Sequence, residues 1–168
     1  MTSTSGTHTF NAATSMPNGN ADNNPANDAS ASTFDIMTNG QFVDVNMDVD
    51  CWGSEVTWEI QDQTNSTVIY SGGPYADGQP NGGGSTTESY CLDAGCYDFV
   101  ITDSFGDGMF GSQYGSCSVD GYYNITSAMG DTLGELQAAN ADFGNSETVV
   151  ICVTPPGLNA VFTSSTMS

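Results

Sequence analysis

Phe42-Val43-Asp44-Val45-Asn46-Met47-Asp48-Val49 alternates apolar and polar residues without a break. A period of two places Val43, Val45, Met47 and Val49 on one face and Asp44, Asn46 and Asp48 on the other, the pattern of a strand with one face in a core and one in water. Val56-Thr57-Trp58-Glu59-Ile60-Gln61 repeats it with Val56, Trp58 and Ile60 inward, and Ser66 to Tyr70 reads as its hairpin partner across Asp62 to Asn65. A Gly- and Pro-rich segment from Gly72 to Gly84 is long for a loop and belongs on the surface. Further strands are expected at Thr86 to Leu92, Cys96 to Thr102, Cys117 to Thr126, Thr132 to Ala138 and Glu147 to Val153. Leu133 to Ala141 is the one stretch with a helical pattern, and its lack of a cap favours a strand. About eight short strands bounded by Gly, Asp and Asn predict an all-β protein, a two-sheet sandwich of Greek-key or jelly-roll-like type.

The sandwich is expected over 34–153, with a polar arm at 1–33 and a tail at 154–168 after the Pro155-Pro156 break. The arm is almost all Ser, Thr, Asn, Ala, Asp and Gly, and its large apolar side chains are Met1, Phe10 and Met16. Such a segment cannot bury enough surface to offset roughly 1–2 kcal/mol of backbone entropy per residue, so it orders only against a partner. Its Thr/Ser-rich stretch from Thr2 to Phe10 has β-propensity and little helix tendency. Leu158 to Thr163, which includes Phe162, alternates again and reads as a short C-terminal strand that closes its own sandwich or joins a neighbour's.

The chain has no Lys or Arg and 20 Asp plus Glu, for a formal net charge of -20. Phosphate neutralisation needs cationic side chains, so nucleic-acid binding is excluded, and docking to anionic lipid fails for the same reason. No apolar run approaches the roughly 18 residues of a membrane span, so membrane insertion is not expected. Hard cations such as Ca²⁺, which take carboxylate and carbonyl oxygens, are the natural small partners.

The cysteines are Cys51, Cys91, Cys96, Cys117 and Cys152, and two N-x-S/T sequons start at Asn65 and Asn124. Together they point to an oxidising, extracellular compartment and to a glycoprotein. Met1-Thr2-Ser3-Thr4 has neither the basic nor the apolar run of a secretory leader, so a leader is either removed already or not part of this chain. Cys91 and Cys96 flank the tight turn Asp93-Ala94-Gly95, which makes a local bridge between them the first expectation. Cys51 with Cys152 is the second, leaving Cys117 over, although spacing does not dictate connectivity. Asn65 falls in a hairpin turn, whereas Asn124 falls within a strand and accepts a glycan only on a solvent face; either asparagine is equally able to stay unmodified.

Two blocks, Glu55-Val56-Thr57-Trp58-Glu59-Ile60-Gln61-Asp62 and the run from Cys91 through Cys96-Tyr97-Asp98-Phe99-Val100-Ile101-Thr102-Asp103-Ser104-Phe105-Gly106-Asp107-Gly108, share a pattern. They resemble a module of secreted bacterial and algal proteins with E-x-x-W-x-(L/I)-x-D followed by C-L-x-x-G-C-Y-x-(F/L)-x-I-x-D-S-(Y/F)-G-D-G. Asp142 to Thr148 resembles its closing strand. Met109-Phe110 stands where the module has a cysteine pair, a departure that bears on the disulfide pattern. The resemblance covers about Glu55 to Val153 and implies an extracellular β-sandwich. A freestanding chain of this kind with polar ends is also similar to subunits of extracellular fibrils recovered from environmental water.

Asp103-Ser104-Phe105-Gly106-Asp107-Gly108 spaces two carboxylates four apart around glycines, so that carboxylates and carbonyls can converge on one Ca²⁺. Asp50 and Glu55, with Asp48, are the candidate outside ligands. The same residues also suit a plain Asp/Gly turn. Tyr75, Tyr114, Tyr122 and Tyr123 are candidates for stacking on sugar rings. The single histidine, His8, has no nucleophile constellation around it, and no carboxylate pair stands out for glycoside chemistry, so an enzyme is not expected.

These readings predict a structural subunit of an extracellular filament, a homopolymer built head-to-tail. The arm of one copy, through Thr7, Thr9 and Phe10, or the tail through Phe162, would pack on or add a strand to the next. The alternative is a carbohydrate- or Ca²⁺-binding module that does not polymerise, with glycans as partners.

Overall fold

The computed structural model describes residues 6–13, 24, 28–36 and 39–155. Among these there is no α-helix, only 3₁₀ turns at Gly53–Glu55, Gly111–Gln113 and Ala138–Asn140. The chain divides into two compact units, residues 1–39 and 40–168.

In the first unit, β1 (Gly6–Ala13) pairs antiparallel with β2 (Ala29–Ile36), Gly6 lying opposite Ile36 and Ala13 opposite Ala29. The arm is thus a two-stranded ribbon and not a single extended strand. It runs past Thr33, because the pairing register carries β2 to Ile36. Thr7, Thr9, Phe10 and the other described side chains of the ribbon are exposed, Phe10 at 63%.

The second unit is a sandwich of two four-stranded antiparallel sheets. It contains β3 (Gly40–Val49), β4 (Val56–Asp62), β5 (Val68–Gly72), β6 (Gly84–Asp93), β7 (Gly95–Asp103), β8 (Tyr122–Ser127), β9 (Thr132–Leu136) and β10 (Ser146–Val153). One sheet runs β10-β7-β4-β5 and the other β6-β3-β8-β9. Within the sandwich, successive strands are hydrogen-bonded neighbours at β4–β5 and β8–β9; every other connection crosses between sheets.

The alternation in the sequence is realised directly. Val43, Val45, Met47 and Val49 of β3 are buried, as are Val56, Trp58 and Ile60 of β4, and they meet Phe99, Ile101, Tyr123, Ile125 and Ile151 in one core. On the outer face, Asp44, Asn46 and Asp48 accept hydrogen bonds from the Ser89, Thr87 and Ser85 hydroxyls of β6 at 2.5, 2.9 and 2.5 Å. A one-residue slip of β3 would bury this polar row and expose the valines, so the two faces lock the register.

The disulfide expectations are overturned. Cys51 bonds Cys117 and Cys96 bonds Cys152, with Cα–Cα distances of 5.8 and 4.1 Å. The Asp93-Ala94-Gly95 turn is not a hairpin but a corner that carries the chain from one sheet to the other, so Cys91 and Cys96 stand on strands that do not pair. Cys96 instead lies directly opposite Cys152 in the β7–β10 ladder. Cys91, not Cys117, is the cysteine in neither bridge.

Smaller differences concern boundaries. β8 starts at Tyr122 because Cys117 lies in the loop before it, and β9 ends at Leu136 ahead of the 3₁₀ turn. Leu158 to Thr163, with Phe162, lies outside the described residues. Asn65 is exposed in the β4–β5 turn, its Oδ1 accepting the Thr67 N–H at 2.9 Å. Asn124 is half-buried on the outer face of β8, between Asn46 of β3 and Glu135 of β9.

Candidate functional site

One end of the sandwich gathers acidic side chains from separate elements. Glu55 immediately precedes β4 and Asp103 ends β7; because Val56 pairs with Asp103 in the ladder, the two carboxylates start as neighbours. The Ser104 N–H donates to the Glu55 carbonyl at 3.0 Å and holds the loop against that strand start. Gly106 and Gly108, at φ of +102° and +69°, turn the loop back so that Asp107 returns to the same spot. Those left-handed conformations favour glycine, and a side chain at Gly108 would also meet the Ala141 carbonyl oxygen at 2.3 Å. Asp103 itself ties the turn, its Oδ1 accepting the N–H groups of Gly106 and Asp107.

Three of the five expected ligands therefore converge. Glu55, Asp103 and Asp107 each place a carboxylate oxygen within 4.8 Å of the others. Asp50, just after β3, lies outside that trio, and its Oδ1 accepts the Trp52 N–H at 2.9 Å. It nevertheless feels the cluster electrostatically. Asp48 is on the outer face, bonded to Ser85, and takes no part.

Crowding of like charge has the expected consequence. Burial pushes the Asp50 carboxyl up to about 6 and outweighs the Trp52 N–H, with Asp107, Asp103 and Asp120 adding to the rise. Partial burial, then Asp103 and Asp107, raises Glu55. Burial also raises Asp103 against the pull of the Gly106 and Asp107 N–H donors. With no Lys or Arg in the whole chain, no ammonium or guanidinium side chain balances these charges, which leaves protons and solvent cations to do so.

The proton half of that statement predicts a pH dependence. An acid whose native pKa lies above its unfolded value binds more protons when folded, so stability falls as pH rises through the interval between the two. For Asp50 that interval runs from the ordinary 3.8 to about 6. Metal-free protein should therefore melt a few degrees higher near about pH 4.5 than near about pH 7, and Asp50→Asn should flatten the slope. Equal slopes in the two proteins, followed by circular dichroism melts, would show that Asp50 is not the group responsible.

Spacing in the sequence did not reveal the aromatic wall beside the acids. Trp52, Phe105 and Tyr114 line a pocket of about 160 Å³ together with Glu55 and Asp107. Tyr114 packs edge-on against Trp52 at 5.3 Å and Phe105 at 6.2 Å between ring centroids. Trp52 follows Cys51, and the Cys51–Cys117 bridge draws the Tyr114 loop to it, so this wall depends on a disulfide partner that spacing does not specify. Of the other tyrosines proposed for sugar stacking, Tyr122 is exposed, Tyr75 half-buried with its hydroxyl on the Trp58 Nε1–H at 2.6 Å, and Tyr123 is a core residue. No family model, curated protein or solved structure matches this chain.

Proposed function

We propose that this chain is a structural subunit of an extracellular filament, polymerising head-to-tail through its N-terminal ribbon. The observation that carries the reading is that the described side chains of β1 and β2 are exposed on both faces of the ribbon. A two-stranded ribbon by itself is marginal in water and needs a further surface. The sandwich offers sites for it: β6, ten residues long, and β10, eight residues long, are edge strands. Ser85, Thr86, Thr87, Glu88 and Ser89 give β6 neither the lysines nor the proline that commonly block strand addition. A contact between unlike surfaces of successive copies does not close and propagates as a fibre. The two disulfides fit an oxidising compartment, and the outward sequons suit a glycan-coated surface.

Removing residues 1–39 tests it. The truncated chain is expected to fold with unchanged disulfides and to run as a monomer in light scattering, with no filaments under the electron microscope. Filaments formed without those residues would show that the ribbon is not the connector.

A second reading, a module that binds carbohydrate without polymerising, is favoured by the pocket walled by Trp52, Phe105 and Tyr114. Binding of glycans by the truncated monomer, lost on Trp52→Ala, would support it.

A further inference from the structure

We infer that Glu55, Asp103 and Asp107 form a Ca²⁺ site that clamps the β7–β8 connection to the start of β4. The inference supplies the cation for the aromatic-walled pocket of the second reading, yet holds whether or not the chain takes a glycan or polymerises.

The first observation is metric. Ca²⁺ holds oxygen ligands at about 2.3–2.6 Å, so two ligands of one ion lie at most about 5 Å apart. The three carboxylate oxygens fall within 4.8 Å of one another, as ligands sharing one ion must. They come from the lead-in to one strand, the end of its neighbour and the loop beyond, so a common ion would reinforce the β4–β7 ladder and the Ser104–Glu55 bond that already bring these segments together.

The second observation is independent of the cluster. Asp103 is 3% exposed, and its Oδ2 is buried without a hydrogen-bond partner. Its other oxygen, Oδ1, already holds the turn through Gly106 and Asp107. Leaving a charged acceptor buried and unsatisfied is among the costlier arrangements in a folded protein. The turn alone needs only Oδ1. An ion bound among the three carboxylates gives Oδ2 its partner.

The donor set selects the ion. Zn²⁺ favours imidazole and thiolate, and the trio contains neither. Mg²⁺ demands near-ideal octahedral geometry and keeps most of its water, whereas a cluster of carboxylates suits the larger and more adaptable Ca²⁺. Glu55 and Asp107 also line the open pocket, so the ion has access from solvent and keeps room for water or a ligand hydroxyl.

Trp52 and Tyr114 in that pocket provide a position-specific readout. Tb³⁺, which replaces Ca²⁺ at oxygen sites, should give saturable emission when the full-length chain is excited through its tryptophans and tyrosines. Ca²⁺ should displace it at far lower concentration than Mg²⁺. Trp52→Phe should dim the emission without changing the Ca²⁺ midpoint. Asp103→Asn, which keeps the Oδ1 acceptor of the turn, should weaken Ca²⁺ by about tenfold or more. Glu55→Gln, at a position only partly buried, should do the same and serves if the Asp103 variant does not fold. Emission that never saturates, or that is unchanged in both Asp103→Asn and Glu55→Gln, would overturn the assignment.

Discussion

Trp58→Ala is expected to cost about 3–5 kcal/mol, the range for deleting a large aromatic from a core, against a total stability of about 5–15 kcal/mol for a domain. Trp58 is 1% exposed and sits against Phe99 and Tyr90, each with a centroid distance of 5.6 Å. Its indole N–H donates to the Tyr75 hydroxyl at 2.6 Å, tying the β5–β6 loop to the core. Across the ladder it faces Gly72, where a Cβ would fall 2.4 Å from the indole ring. Gly72 is therefore the space the indole occupies. Gly72→Ala should destabilise the wild-type sandwich but cost little once Trp58 is already alanine, a non-additivity that a double-mutant cycle in urea reads directly. If Trp58→Ala cost less than about 1 kcal/mol, neighbouring side chains would have to collapse into the cavity.

Loss of the Cys51–Cys117 bridge should be comparably damaging. The bridge spans 66 residues, and the loop-closure entropy it removes from the unfolded chain is worth on the order of 4 kcal/mol. Cys51 is fully buried and Cys117 nearly so, whereas Cys96 and Cys152 lie on the outer face of their sheet. Mild reductant should therefore open Cys96–Cys152 first, and peptide mapping of partly reduced protein should find Cys51–Cys117 intact. Cys51→Ala with Cys117→Ala should lower the urea midpoint and also loosen the Trp52–Tyr114 contact, read as a change in tryptophan fluorescence. A variant with wild-type stability would mean that the unfolded chain is already constrained near those positions.

Much of the sandwich can be read locally because a strand with one wet face records its two environments residue by residue. β3 and β4 are the clearest cases, and their inward residues are those the alternation names. The acidic site was half visible for the same reason: Asp103 and Asp107 share one short loop whose glycines announce the turn. Glu55 joins them through the β4–β7 register, a long-range pairing that places a residue near a strand end beside the loop. Asp50 and Asp48 lie equally near a strand end in sequence, and only the fold separates Asp50, held by Trp52, and Asp48, held by Ser85, from the trio.

The disulfides and the aromatic wall lie beyond that reach. Asp93-Ala94-Gly95 looks the same whether it closes a hairpin or turns a corner between sheets, and that choice decides whether Cys91 or Cys152 stands beside Cys96. Local chemistry, the alternation of side chains and the absence of Lys and Arg, determined an all-β sandwich of net charge -20. Tertiary structure alone decided which cysteines meet, that Trp52, Phe105 and Tyr114 share a pocket, and that one oxygen of Asp103 is buried without a partner. The physical reason is that these depend on pairings between segments tens of residues apart, whose register is set by the packing of the whole core and not by any one stretch of chain.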